Sequence, residues 1–275
     1  MNENRVVGVT GRTFARIVTS AIGIPILTYA ALANSLIPIK TVCAVLAVLC
    51  TWEFMRAEGF SKSPLTWIAL GAFPIAIFLS KSEPNITWSS VACGGLILVA
   101  MGDTLWKGGE VRALIRLLLW ILLPFINIVQ LRAYDLPNTS NSFTITSGSM
   151  LMLFFLCLWG GDSASFFIGS KYGKRKIAPN ISPQKTWEGA VANFITSLMI
   201  GILFGSIFDI GIFKGAMVGG IVGIFGQIGD FVESAWKRTR GIKDSGNLLP
   251  GHGGILDRCD SWIFSAPFVA LFLSL

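Results

Sequence analysis

A chain of 275 residues with 53% hydrophobic and only 13% charged residues is too apolar for a water-soluble globule, in which about a quarter of residues are charged. The mean hydropathy of +0.67 predicts an integral membrane protein. A single histidine excludes a multi-histidine metal centre, and the five cysteines, none of which forms a close pair of the metal-binding type, imply no zinc site or disulfide framework. The net charge is +7, but in a membrane protein an excess of Lys and Arg first marks the cytoplasmic loops. The charge therefore does not predict a nucleic-acid partner.

Apolar runs recur along the whole chain and predict an all-α fold of about nine transmembrane helices. About 20 residues span a bilayer core, and several of these runs are shorter, so one or two are expected to be tilted or re-entrant. The first run is too long, and too poor in small residues at its end, to predict a cleaved signal peptide. The predicted spans are residues 17–37, 41–54, 65–79, 88–101, 113–129, 149–169, 190–208, 212–231 and 262–275.

The basic residues indicate the orientation of these spans. With nine spans and a cytoplasmic N-terminus, 18 of the 22 Lys and Arg residues face the cytoplasm. Only Lys40, Lys81, Arg132 and Lys214 face the other side. Because cytoplasmic loops of membrane proteins are enriched in Lys and Arg, this bias predicts a multi-pass protein with its N-terminus inside.

The acidic residues gather on the same side, where 12 of 15 are expected. Acids contribute little to orientation, so their clustering needs another cause, and a functional site is the interpretation favoured here. The two longest cytoplasmic loops, 171–189 and 234–261, follow residue 148. We therefore expect one continuous membrane domain with an N-terminal scaffold (1–148) and a C-terminal catalytic region (149–275), whose active site faces the cytoplasm.

The first half of this catalytic region contains Asp162 near the cytoplasmic end of a span. An ionisable side chain is unfavourable in lipid, so we expect Asp162 to face a wet cavity or to bond to a neighbouring helix. A basic run, 171–176, follows and could be either a headgroup anchor or a phosphate contact. Ser182 and Pro183 predict the start of a short helix, since serine is a favoured N-cap and proline fits the first helical turn. Glu188 then enters the next span near the same interface.

The stretch 229–260 contains the strongest candidate residues. If the preceding span continues as a helix, Asp230, Ser234 and Lys237 lie on one face. The glycine-rich segment 250–254 cannot be regular helix and exposes backbone N–H groups. Asp257 and Asp260 follow with i, i+3 spacing as the last helix begins. Carboxylates from two helices are suitable Mg²⁺ ligands, although simple pairing of these acids with nearby arginines is the structural alternative.

Two segments together resemble the signature of the phosphatidate cytidylyltransferases, the CDP-diacylglycerol synthases. One runs from Ser234 through Lys-Asp-Ser-Gly and Leu-Pro-Gly-His-Gly-Gly-Ile to Asp260, and the other is Ser182-Pro-Gln-Lys-Thr-Trp-Glu-Gly189. The resemblance covers about residues 160–261. Trp236 stands where the family usually has a smaller aliphatic residue or Phe, and Cys259 replaces an aliphatic residue.

The resemblance implies transfer of CMP from CTP to phosphatidic acid in phospholipid biosynthesis, in a bacterial inner membrane. It implies that Asp230 and Asp257 hold Mg²⁺ and a second cation of unknown identity, with Ser234 and Lys237 on metal or phosphate. The residue pattern adds Asp162 and Glu188 as further metal ligands and Asp244 and Asp260 as further acids of the site. The expected nucleotide and phosphate contacts are Lys174, Ser182, Lys185, Thr186, Arg238, Lys243, His252, Gly253, Gly254 and Arg258.

Two other functions remain open at this point. A CTP-dependent polyprenol or phytol kinase would use similar loops but transfer the γ-phosphoryl group to an alcohol. An ion-coupled transporter would bind its ion at intramembrane acids, but it predicts acids near the bilayer midplane rather than at one interface. Dimerisation through the N-terminal spans is also left open.

Overall fold

The computed structural model describes residues 3–80, 86–100, 109–134, 148–248 and 253–275, and these ranges are mostly helical. A π-helical segment, Leu118–Leu122, joins the fifth and sixth helices just before Pro124, which has no N–H to continue the α-helical ladder. The helices are α1 (Glu3–Leu32), α2 (Ile37–Ala57), α3 (Pro64–Leu79), α4 (Ile86–Ala100), α5 (Glu110–Leu117), α6 (Leu123–Ala133), α7 (Ser149–Tyr172), α8 (Trp187–Ile207), α9 (Ile212–Thr239) and α10 (Leu256–Ser274).

The predicted all-α class is confirmed, and each predicted apolar span overlaps a helix in the part of the chain that the structure describes. Within the described ranges, five helices are long and apolar enough to cross a membrane: α2, the continuous helix Glu110–Ala133, α7, α8 and α9. Helices suit such sequences because lipid offers no hydrogen-bond partners to an open backbone. Nine crossings and a cytoplasmic N-terminus stay predictions.

Helices α8 and α9 pack with their backbones almost in contact. A Cβ atom added to Gly201 would lie 2.2 Å from the carbonyl oxygen of Gly215, and one added to Gly215 would lie 2.1 Å from that of Gly201. Only glycine permits this approach, which is a common way for helices to associate where lipid surrounds them. Helix α7 packs closely on α8, so α7, α8 and α9 form the core of the C-terminal region.

The N-terminal half packs directly against the end of α9. The Phe54 ring of α2 stacks on the Trp236 ring of α9, with centroids 5.1 Å apart and an interplanar angle of 16°. Trp120, from the π-helical segment, meets Trp236 edge-on at 5.5 Å. Helix α10 packs on α9, α6 and α4. The two predicted regions therefore share one apolar core, in which Phe54 and Trp120 are fully buried.

A short antiparallel hairpin interrupts the helices between α7 and α8. Its strands are β1 (Lys176–Ala178) and β2 (Ser182–Thr186), with Lys176 opposite Thr186. The prediction of a helix starting at Ser182 is wrong, because this segment pairs with β1. The N-cap of α8 is instead Thr186, whose hydroxyl accepts a hydrogen bond from the N–H of Gly189 at 3.2 Å.

Candidate active site

The last three turns of α9 carry several of the candidate residues. The prediction that this helix continues past Asp230 is confirmed, since α9 ends at Thr239. The Ser234 hydroxyl donates to Asp230 Oδ1 at 3.5 Å, which is at the limit of a hydrogen bond. One turn further on, Lys237 Nζ lies 2.9 Å from Glu233 Oε2. The helical spacing therefore presents acids and a base together at the end of α9.

Lys237 joins α9 to α10 through a buried ion pair. Its ammonium lies 2.7 Å from Asp257 Oδ1 and 2.9 Å from Glu233 Oε2. The exposed fractions of the three side chains are 10% for Lys237, 1% for Glu233 and 6% for Asp257. Charges this well buried are stable only when they are paired, so the three groups constrain one another.

The carboxylate of Asp257 is also held by the backbone of the preceding loop. It accepts hydrogen bonds from the N–H of Ser245 at 3.0 Å and from the N–H of Gly254 at 2.8 Å. Gly253 has a φ of +84°, and a Cβ there would lie 2.9 Å from Asp257 Oδ2. A glycine is therefore required at this position. His252 lies outside the described residues.

A polar cleft of about 40 Å³ opens beside the ends of α7, α8 and α9. Lys185 of β2 reaches into it and lies 2.5 Å from Asp230 Oδ2. These side chains are more accessible than Lys237, Glu233 and Asp257, which we call the Lys237 group. The exposed fractions are 25% for Lys185 and 39% for Asp230. The lining residues are Asp162, Ser165, Ile177, Lys185, Thr186, Ala190, Asn193, Gln227, Asp230 and Ser261.

Two acids, Asp162 and Asp230, line this cleft, and a third, Asp260, interacts with both from the next helix. Asp162 of α7 accepts a hydrogen bond from the Asn193 side chain of α8 at 3.2 Å. Asp260 of α10 is buried, and its Oδ1 accepts from the N–H of Ser261 at 2.7 Å. Both carboxylates interact electrostatically with Asp230. A cation in the cleft would relieve the repulsion between these neighbouring carboxyl groups, although no three acidic, cysteine or histidine side chains of the described ranges are arranged as a metal-binding group.

The hairpin residues take part mainly in local structure. The carboxylate of Glu188 accepts hydrogen bonds from the N–H groups of Lys174 at 3.1 Å and Arg175 at 3.3 Å. Thr186 caps α8 and also lines the cleft. Ser182 begins β2 and is half-buried. Of this group, the structure brings only Lys185 and Thr186 to the cleft.

Four further predicted residues, Arg238, Lys243, Asp244 and Arg258, do not line the cleft. Arg238 donates to the carbonyl oxygens of Ile181 at 3.2 Å and Ile242 at 3.0 Å, so it connects the hairpin to the loop after α9. Lys243 and Asp244 are exposed in that loop. Arg258 is exposed on α10 and interacts electrostatically with Asp162. Exposed basic groups around an acidic cleft can contact an anionic ligand without being buried themselves.

Sequence reasoning missed Glu53, a buried acid of α2. Its carboxylate accepts hydrogen bonds from the Ser245 hydroxyl at 2.9 Å and from the N–H groups of Ile255 and Leu256, both at 3.0 Å. Its position within the predicted span 41–54 was the available signal, since an ionisable residue in an apolar span usually has a specific partner.

Glu58, at the end of α2, is a second missed acid. It accepts hydrogen bonds from the Trp236 indole N–H at 2.8 Å and from Arg240 Nη2 at 2.9 Å, and Arg116 lies 3.9 Å away. Trp236, the residue that departs from the usual family pattern, therefore has both a stacking partner and a hydrogen-bond acceptor in the N-terminal half. The end of α9 is fixed by residues about 180 positions earlier in the chain.

Comparison with known proteins gives one family. Residues 14–275 match the cytidylyltransferase family. A phosphatidate cytidylyltransferase of Bacillus subtilis (strain 168) is 43% identical over 127 residues, which are 45% of this chain and 47% of that protein. One of Staphylococcus haemolyticus (strain JCSC1435) is 47% identical over 121 residues, 43% of this chain and 46% of that protein. The uncharacterized protein YnbB of Escherichia coli (strain K12) is 42% identical over 140 residues, 50% of this chain and 46% of that protein. The chain thus spans about half the length of the curated relatives it matches.

Proposed function

Because the chain belongs to the cytidylyltransferase family, as its motifs predict, we propose that it transfers CMP from CTP to phosphatidic acid. The products are CDP-diacylglycerol and pyrophosphate. The observation that carries the proposal is a pair of lysine–aspartate contacts, Lys185–Asp230 and Lys237–Asp257, one at the polar cleft and one at the loop beside it. The names of the similar bacterial proteins support phosphatidate as the acceptor.

In this reaction an oxygen of the phosphatidate phosphate attacks the α-phosphorus of CTP. A new phosphorus–oxygen bond forms, the bond to the bridging oxygen of the β-phosphate breaks, and pyrophosphate leaves with the electron pair. The nucleophile already carries a negative charge, so no amino-acid nucleophile is needed. The protein's contribution is to position two polyanions and to neutralise charge in the transition state.

The basic side chains around the cleft are suited to that task. Lys185 is a partly accessible cation within the cleft, and Arg258 interacts electrostatically with Asp162 of its lining. Arg238 and Lys243 add positive charge at the end of α9 and in the loop that follows it. Electrostatic stabilisation of this kind is strongest where water is excluded. Lys237 is held by Glu233 and Asp257, so in this arrangement its role is to fix Asp257 rather than to move towards a substrate.

A divalent cation fits the donors of the cleft. Asp230 and Asp162 offer carboxylate oxygens there, and oxygen ligands with room for phosphate and water are what Mg²⁺ prefers. When bound, Mg²⁺ would neutralise charge on the nucleotide phosphates. Asp257 and Glu188 already accept hydrogen bonds from protein groups, and their predicted roles as metal ligands, like the second cation, stay predictions.

The membrane arrangement is part of the proposal. The end of α7, the start of α8, the end of α9 and the start of α10 all meet near the cleft, which places the candidate residues at one end of the bundle. With nine crossings and the N-terminus inside, this end faces the cytoplasm, where CTP is present. A bacterial cytoplasmic membrane and a homodimer stay predictions.

The test uses the full-length chain in detergent micelles that contain phosphatidic acid. With Mg²⁺ present, CTP labelled at the α-phosphate should transfer its label to the lipid, and pyrophosphate should form in equal amount. Removing divalent cations with EDTA should stop the reaction, and added Mg²⁺ should restore it.

The label position separates the alternatives. A lipid kinase would transfer label only from the γ-phosphate of CTP and would release CDP, which would contradict the proposal. A transporter would transfer neither label. ATP in place of CTP is the control for nucleotide selection and should give no labelled lipid.

A further inference from the structure

The carboxyl group of Glu53 is almost completely removed from solvent, with 2% of the residue exposed. It lies on α2, in the half of the chain that the sequence predicts to be scaffold, and it approaches the loop between α9 and α10. A buried carboxyl group is unfavourable unless hydrogen bonds compensate for the lost water. The geometry around Glu53 supplies that compensation from a single source, the loop that precedes Asp257.

Glu53 acts as an N-cap supplied by a different helix. Its Oε1 accepts from the N–H of Ile255 and its Oε2 from the N–H of Leu256, both at 3.0 Å. These N–H groups belong to the start of α10, where the first N–H groups of a helix have no partner within the helix. A negative charge is also favoured there by the helix dipole. The carboxylate therefore fixes where and in which direction α10 begins.

The loop is shaped to admit this carboxylate. A Cβ atom on Gly246 would lie 2.3 Å from Glu53 Oε1, and one on Gly254 would lie 2.5 Å from Glu53 Oε2. Any larger residue at either position would displace Glu53 or the loop. Two glycines thus flank the carboxylate at the points where backbone and side chain approach most closely.

The same loop residues hold Asp257. Ser245 donates its hydroxyl to Glu53 at 2.9 Å and its backbone N–H to Asp257 at 3.0 Å. Gly254 donates its N–H to Asp257 at 2.8 Å, and the next N–H along the chain, that of Ile255, goes to Glu53. Movement of the loop away from Glu53 would therefore withdraw both backbone donors from Asp257.

We infer that Glu53 is a positioning residue of the active site, which holds the Ser245 and Gly254 backbone in place and thereby sets the orientation of Asp257. Only the turnover measurements that test this inference rest on the proposed function. Through Glu53, the N-terminal half of the chain contributes to the geometry of the site.

The first test measures the loop without any substrate. Amide hydrogen exchange of the full-length protein in detergent should rise in the peptide covering 244–258 when Glu53→Gln is introduced. Glutamine keeps the shape of the side chain but presents an NH₂ group to N–H donors, so we expect exchange at Ile255 and Leu256 to accelerate roughly tenfold or more.

The matched control is Thr51→Val on the same helix. Thr51 is fully buried, and among the described residues its hydroxyl makes no hydrogen bond. This change should leave exchange in 244–258 unaltered. Equal exchange in Glu53→Gln and wild type would overturn the inference.

The second test compares kcat with KM. For Glu53→Gln we expect kcat for CDP-diacylglycerol formation to fall about tenfold or more while KM for CTP changes less than about threefold, because Asp257 is misoriented and not removed. Glu53→Asp, which keeps the charge, should recover part of kcat. Faster exchange with unchanged kcat would reduce Glu53 to a purely structural residue and overturn the inference.

A milder variant covers the case in which Glu53→Gln does not insert or fold. Ser245→Ala removes the hydroxyl that links the loop to Glu53 but keeps the backbone donors, and it should change exchange and kcat in the same directions by smaller factors. Identical behaviour to wild type in both measurements would count against the inference. If wild-type protein forms no CDP-diacylglycerol, the proposed function fails, while the exchange comparison still decides the structural role of Glu53.

Discussion

Two lysine–aspartate ion pairs lie near the candidate site, and they differ most in their exposure to solvent. Lys185 and Asp230 retain 25% and 39% of their side-chain exposure, whereas Lys237 and Asp257 retain 10% and 6%. The first pair is bordered by the polar cleft, and the second is enclosed by α9, α10 and the loop between them. The same chemical groups therefore have different consequences for stability and for ligand binding.

Burial explains the difference. An accessible ion pair contributes only about 0–1 kcal/mol, because water and salt compete with it, so a ligand can replace one partner at little cost. Breaking a buried pair costs about 3–5 kcal/mol, because the remaining charge has no partner. We therefore expect the Lys237 group to be a fixed part of the site and the Lys185–Asp230 pair to be the part that exchanges partners with substrate.

Lys237→Met should have the largest effect on stability. It leaves Glu233 and Asp257 buried without their common cation, so we expect the free energy of unfolding to fall by about 3–5 kcal/mol and activity to be lost. Thermal unfolding in detergent, followed by tryptophan fluorescence, measures the change. The double variant Lys237→Met with Glu233→Gln should recover part of the stability, because one of the two unpaired charges is gone. An unchanged Tm in the single variant would contradict the contrast between the pairs.

Asp230→Asn should remove activity with little change in stability. Its pair is accessible, so the free energy of unfolding should change by less than about 1 kcal/mol. CDP-diacylglycerol formation should fall by about 100-fold or more at saturating Mg²⁺, since a carboxylate that contacts reacting charge is lost. Asp209→Asn is the matched control, because Asp209 has a φ of 60° that asparagine also adopts readily. Near-normal turnover by Asp230→Asn would remove this residue from the site.

Lys185→Gln should have the smallest effect of the three. In the proposed reaction Lys185 contacts a phosphate of CTP, so we expect KM for CTP to rise about tenfold in the variant. Its stability should stay within about 1 kcal/mol of wild type. Lys214→Gln, which alters a lysine bonded to the Tyr134 hydroxyl, is the control and should leave KM unchanged. A larger loss of stability in Lys185→Gln than in Lys237→Met would reverse the proposed contrast.

Some features of the site follow from local sequence patterns. The spacing of Asp230, Ser234 and Lys237 predicted a shared helical face, and the structure confirms that α9 extends through all three. The left-handed glycine at 253 lies in the segment 250–254 that the sequence excludes from regular helix, because a positive φ favours glycine. The N–H groups at the start of α10, in contrast, are capped by the distant Glu53 and not by a neighbouring residue. The helix predicted at Ser182 was wrong because strand pairing with β1 outweighed a local capping signal.

Partners that are distant in sequence could not be predicted in this way. Glu53 and Ser245 are 192 positions apart, and Glu58 and Arg240 are 182 positions apart. Nothing local to α2 indicates which loop its acids meet, since that depends on how the helices rotate and pack. The position of Glu53 within an apolar span signals a partner but does not identify it.

By itself, the sequence determined the helical membrane character of this protein, its family and the inventory of acids and lysines at the site. These properties depend on composition, on periodicity and on motifs whose spacing is local. Only the tertiary structure decided which carboxylate faces which lysine, and that Glu53 and Glu58 of α2 accept hydrogen bonds from the start of α10 and the end of α9. The physical reason is that a hydrophobic pattern favours insertion of each helix separately, whereas ion pairing between helices depends on contacts that form when all of them have packed.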